Sequence, residues 1–235
     1  MKLIRLVLYV LLANFLFINS VYAATLTATP TKYATTMTKF ELCTSSTCTT
    51  TTVLGSNTAT FNIASASAGA DVGSWMSSFA LEVGTTYTHV QATINSTFTI
   101  AGYLTDDNDN SLTGDPPYCV TVASPTTASS HTTQAKHAGS SSTTNADMSW
   151  VVPNMTGSNY GNLTTSFGNN GITKTDGATS FTWIGALTSP YTPKANSAPK
   201  FTMSFDVTGQ LQAFGSGGLC AIYVKPPAVS ISISD

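Results

Sequence analysis

The stretch Thr88-His89-Val90-Gln91-Ala92-Thr93-Ile94-Asn95-Ser96-Thr97-Phe98-Thr99-Ile100-Ala101-Gly102 decides the fold. Val90, Ala92, Ile94, Phe98 and Ile100 fall on one side of it, and His89, Gln91, Thr93, Asn95, Thr97 and Thr99 on the other. Successive side chains of a strand point to opposite faces, so this alternation predicts a strand with one buried and one wet face. Ser96 interrupts the buried row, which is where a bend would fall. The element is longer than the usual strand of about five or six residues.

Working outward, the alternation recurs. Phe201, Met203, Phe205 and Val207 alternate with Thr202, Ser204, Asp206 and Thr208, and Phe181 and Trp183 flank Thr182. Cys220, Ile222 and Val224 alternate with Ala221 and Tyr223, and in the tail Val229, Ile231 and Ile233 alternate with Ser230, Ser232 and Ser234. Residues 33–42, 50–54, 58–63, 118–122 and 149–152 are further strand candidates, while 68–81 reads as a short helix or turn. Many short strands without intervening helices predict an all-β fold, an antiparallel β-sandwich built as one composite domain or two packed β-domains.

Composition agrees. Of 235 residues only 9% are charged against 42% hydrophobic, which excludes a disordered chain and a long coiled coil. Abundant Thr with scarce Leu, Glu, Lys and Arg favours strands locally.

Residues 1–23 have the pattern of a secretory signal peptide: Lys2 and Arg5, an apolar stretch over 6–18, then Val21-Tyr22-Ala23 with small residues at its first and third places. The apolar stretch is shorter than the roughly twenty residues that span a bilayer, so no membrane span is expected. Without Lys2 and Arg5, the remaining chain has no arginine, and its acids outnumber its lysines. Nucleic acid is therefore excluded as a partner, because such binders need a cationic surface with Arg to fork onto phosphates. The expected location is secreted, extracellular or at the cell surface, or the periplasm if the host is a bacterium.

In an oxidising compartment four cysteines predict disulfides. Cys43 with Cys48 would bridge the mouth of a short hairpin loop, which leaves Cys119 with Cys220. The cysteine spacing lacks the paired short motifs of a zinc site. Residues 123–147 are Ser, Thr, Ala and His with little to bury and read as an exposed loop or linker between an N-terminal β region, 24–122, and a C-terminal one, 148–235, packed on the first.

The run Leu81-Glu82-Val83-Gly84-Thr85-Thr86-Tyr87-Thr88-His89-Val90 resembles the turn-into-strand signature of transthyretin-like (prealbumin-like) β-sandwich modules on bacterial surface proteins. The resemblance covers about a tenth of the chain. It implies a seven- or eight-stranded sandwich serving as a structural or adhesive unit, and it brings no catalytic residues.

The residues 106–115 hold four of the eleven acids. Asp106, Asp107, Asn108, Asp109, Asn110, Ser111 and Asp115 offer oxygen ligands at alternate positions of a turn, the donor set a hard cation such as calcium needs. The loop departs from an EF-hand in lacking Gly at its sixth place and Glu at its twelfth, and Asp and Asn also favour turns without any metal. His131 and His137 stand in the 123–147 segment, and His89 is on the wet face of the long strand. No G-x-S-x-G motif occurs, and Gly215-Ser216-Gly217-Gly218 reads as a turn leading to Cys220. Only Glu41 and Glu82 supply glutamate, so an enzyme is not expected. Trp75, Trp150 and Trp183 suit either the core or a sugar-stacking platform. Asn95, Asn154 and Asn162 begin N-x-Thr triplets.

Two functions fit: a structural or adhesive subunit of an extracellular assembly, whose tail, 228–233, completes a neighbour's sheet or its own, or a monomeric glycan- or ligand-binding module, with or without calcium.

Overall fold

The computed structural model describes residues 26–65, 70–71, 81–106, 117–124, 126–127, 135–155, 167–197, 199–216 and 219–235. Residues 1–23, read above as a signal peptide, lie outside them.

The hub of the fold is β2 (Lys32–Cys43), which is paired along both edges. On one edge run β7 (Thr97–Ala101) and β6 (Tyr87–Asn95), and on the other β4 (Ala59–Asn62) and β3 (Thr51–Gly55), all antiparallel. The 88–102 stretch is thus one long run bent at Ser96. At the bend its outer edge changes partner: β6 pairs with β14 (Ser180–Tyr191), whereas β7 pairs with β12 (Met148–Val151). Ser96 is the corner and only 2% exposed. Its N–H donates to the Thr179 carbonyl at 2.7 Å, its own carbonyl accepts the Val152 N–H at 2.8 Å, and its hydroxyl donates to the Ala178 carbonyl at 3.1 Å. A small hydroxyl residue satisfies a buried corner where an apolar one would leave a carbonyl wanting. β13 (Ile172–Thr173) completes this sheet beyond β14.

A second sheet runs in the order β1 (Leu26–Ala28), β16 (Leu211–Ser216), β17 (Leu219–Val224), β11 (Ala135–Ala138), β10 (Thr126–Thr127). A third runs β18 (Ala228–Ser234), β15 (Lys200–Asp206), β5 (Ala70–Asp71), and β8 (Tyr103–Thr105) forms a ribbon with β9 (Tyr118–Val120). The 24–122 and 148–235 regions build the sheets jointly, through β6 with β14, β7 with β12 and β1 with β16.

Two cores lie under the bent sheet. The β7 half covers Tyr33, Phe98, Ile100, Trp150, Leu211 and Ile222, against β16 and β17. The β6 half covers Phe40, Leu42, Tyr87, Val90, Phe201 and Ile231, against β15 and β18. β2 serves both because of a register shift between Met37 and Lys39. Thr38 is the extra residue of this bulge, which changes the inward set from Tyr33, Thr35 and Met37 to Phe40 and Leu42. On the outer face Thr36 and Thr60 stand opposite each other and share a 2.8 Å hydroxyl hydrogen bond, one use of the Thr-rich composition.

Both disulfides form as expected. Cys119 and Cys220, each 0% exposed, join β9 to β17 with a Cα–Cα distance of 5.8 Å. Cys43–Cys48 differs in detail: Cys43 faces Thr51 across the β2–β3 pair, and Cys48 lies in the loop between them, at φ 49°. The bond therefore closes within the loop and not across its mouth.

Two further expectations change. Residues 123–147 hold β10 and β11, and β11 lies along β17 with His137 opposite Cys220. Ladder hydrogen bonds come from the backbone, so a segment poor in apolar side chains can still extend a sheet edge. Residues 141–144, 146 and 147 are exposed, as a surface loop requires. Within 68–81, residues 70–71 form strand β5, and 72–80 lie outside the described residues. The tail forms β18, paired with β15 over all seven residues, with the Thr188 hydroxyl of β14 donating to Ile231 O at 3.1 Å. In this structure the tail completes the chain's own sheet.

Candidate binding cavity

A cavity of about 370 Å³ lies at the seam between the two cores. Five strands that meet near the bend supply much of its wall: Tyr33, Thr35 and Met37 of β2, Ala92 and Ile94 of β6, Phe98 of β7, Trp150 of β12, and Phe181 and Trp183 of β14. In each strand the alternation places these residues on one face. An aromatic group centred on Phe98 forms one side, with Tyr33 edge-on at 5.6 Å, Trp150 at 6.0 Å and Phe181 stacked at 6.1 Å between ring centroids. Met203, Phe205 and Val229 close the other. Thr60 and Ser65 are the exposed residues of the lining, so the cavity meets solvent beside them.

Gly171 shapes this wall. Its φ is +74°, and a Cβ there would stand 2.1 Å from the Ile184 carbonyl oxygen. Only glycine permits the turn that precedes Ile172, another lining residue. Trp183 lies over Gly185, where a Cβ would meet its ring carbons at 2.5 Å.

Among the described residues, none of those lining the cavity carries a charge. Its polar atoms are mostly engaged. The Tyr33 hydroxyl donates to Lys225 O at 3.0 Å, Asn62 Oδ1 accepts the Tyr33 N–H at 3.0 Å, Thr60 pairs with Thr36, and the Ser65 hydroxyl donates to Asn62 O at 3.1 Å. Burial pushes the Tyr33 phenol well above its usual range, which keeps it a neutral donor. Two polar atoms differ: Trp150 Nε1, in a residue 5% exposed, and Thr35 Oγ1 are both shielded from solvent and have no hydrogen-bond partner among the described residues.

Beyond Trp183, Pro227 and Val229 lies a shallower groove lined by Ser46, His89, Asn169, Asn170 and Thr173. His89 is half-buried, with Nδ1 2.8 Å from the Thr88 hydroxyl. Trp183 thus borders an apolar cavity and a polar groove. Trp150, packed in the core, is not an exposed sugar platform. Trp75 lies outside the described residues.

Of the candidate calcium ligands, Asp106 is described: it is 3% exposed, and its N–H donates to Pro117 O at 2.8 Å. Asp107, Asn108, Asp109, Asn110, Ser111 and Asp115 lie outside the described residues, as do His131 and Asn162. Among the described residues no group of three His, Cys, Asp or Glu is placed to hold a metal. Asn95 ends β6, and Asn154 Oδ1 accepts the Gly177 N–H at 2.9 Å and the Lys174 ammonium at 3.3 Å. Among the described residues no helix is long and apolar enough to cross a membrane.

Sequence reading missed the cavity. Thr35 stands in an apolar row between Tyr33 and Met37, and this polar interruption is the one signal that pointed to it.

Comparison of the chain with protein-family models, curated proteins and solved structures finds no match.

Proposed function

We propose that the chain is an exported protein of the extracellular space or cell surface that works by binding, as an adhesive or ligand-binding β-sandwich module, and performs no catalysis. The seam cavity carries this reading: folded proteins pack their interiors closely, and a mostly apolar cavity with a few unpaired polar groups is the usual form of a small-molecule site. Two disulfides fit an oxidising compartment. The likeness of residues 81–90 to transthyretin-like surface modules agrees with it. Titration with the neutral dye Nile red tests the proposal. A saturable blue-shifted emission at one dye per chain is expected, and no shift up to the dye's solubility limit overturns it.

A glycan-binding reading has the groove beside Trp183 in its favour, where amides and hydroxyls adjoin an aromatic face. A glycan screen with calcium and with chelator tests it, and retention in neither condition removes it. Calcium at the acidic turn is proposed as a stabilising ion, since clustered carboxylates repel one another without a cation. The melting temperature should then rise with millimolar calcium and return with chelator, and an unchanged value excludes the ion. Assembly by strand addition is the structural variant. It requires β18 to leave β15, and fibres seen by electron microscopy should vanish when residues 226–235 are deleted; a monomer of unchanged size in both forms excludes it.

A further inference from the structure

We infer that the seam cavity takes an uncharged, largely apolar molecule bearing one hydrogen-bond acceptor, such as a ketone, ester or ether oxygen, to which the indole N–H of Trp150 donates, with the hydroxyl of Thr35 as a second polar group of the wall. The inference rests on the binding reading above and specifies its ligand.

The choice follows from what the walls can pair. Hydrogen bonds within the protein engage the Tyr33, Thr60 and Ser65 hydroxyls and Asn62 Oδ1, and the solvent-shielded polar atoms of the lining left without a partner among the described residues are Trp150 Nε1 and Thr35 Oγ1. Indole nitrogen only donates, so its partner must be an acceptor; a hydroxyl adapts to either role. A buried donor with no partner is costly, and a pure hydrocarbon would leave both atoms in that state. A sugar would bring many hydroxyls into a mostly apolar wall with few free polar groups, leaving most of them desolvated and unpaired. A carboxylate or ammonium would enter a cavity whose described lining has no countercharge, at a still larger cost. The volume of about 370 Å³ is at the lower end of ligand pockets, so the occupant is small. Exposed Thr60 and Ser65 mark where the cavity meets solvent, so an occupant enters there.

The test uses three small probes of similar shape: acetophenone, ethylbenzene and benzoate, titrated by calorimetry into the full exported chain. Acetophenone and ethylbenzene should bind and benzoate should not. Trp150→Phe keeps an aromatic ring and removes the N–H. It should weaken acetophenone about three- to tenfold and leave ethylbenzene unchanged or tighter. Thr35→Val, nearly isosteric, provides a second variant with a smaller loss of the same selectivity. In nitrogen-15 correlation spectra the Trp150 indole proton should move downfield with acetophenone and not with ethylbenzene. Equal effects of the variants on both neutral probes, or tight benzoate binding, overturn the inference and leave the binding reading standing. Failure of both neutral probes to bind overturns the binding reading itself.

Discussion

Ser96 shows how one residue can turn a sheet. Its hydroxyl and N–H donate to the adjacent carbonyls of Ala178 and Thr179, just before β14, and its carbonyl accepts from Val152, just after β12, so the long run bends without an unpaired buried group at Ser96. Ser96→Ala removes the bond to Ala178 O and should cost about 1 kcal/mol, read as a lower urea midpoint with an unchanged slope. Gly171 is less forgiving, because any side chain must accept a left-handed backbone and displace the Ile184 carbonyl. Gly171→Ala should lose about 2 kcal/mol or more in the same experiment. The interruption at Ser96 is readable in the sequence, since a polar residue breaks an apolar row. The glycine is not, because the carbonyl that fixes it belongs to a later strand.

Among elements, the alternating rows around Ile94, Met203 and Ile231 became strands because period two admits no other regular structure there. The bulge in β2 was hidden: Thr38 adds one residue to a Thr-rich run, and nothing local shows which hydroxyl is the extra one. Disulfide pairing was legible by elimination, and the two bonds differ in what they close. Cys119–Cys220 spans 101 residues and Cys43–Cys48 spans 5. Loop-closure entropy assigns them roughly 4–5 and 2 kcal/mol. Replacing both Cys119 and Cys220 by Ala should therefore lower denaturant stability more than the same change at Cys43 and Cys48. At the end of β18, the hydrogen bond from the Tyr191 hydroxyl, followed by that from Lys194, holds the Asp235 carboxylate below its usual range. A folded value lower than the unfolded one contributes stability above the unfolded value, and that contribution is lost as pH falls through the folded value. Between neutral pH and the acid side of the carboxylate range, wild type should therefore lose more stability than Asp235→Asn, as pH-dependent melting would show.

For the whole molecule, the bend places two cores under one sheet, and the cavity lies where neither core fills the seam. Sequence patterns assign faces to strands but not the gap between two faces, so the site was the least legible part of the fold. Ala92 lines the gap and is 2% exposed. Ala92→Leu should fill part of it, raise stability by about 1 kcal/mol and weaken Nile red binding, the usual exchange of function for stability. The most direct measurement is diffraction from a crystal pressurised with xenon, which enters apolar cavities. Xenon density bordered by Phe98, Trp150, Phe181 and Trp183 is the expected result. Side chains packed through that space, with no xenon there, would contradict the account.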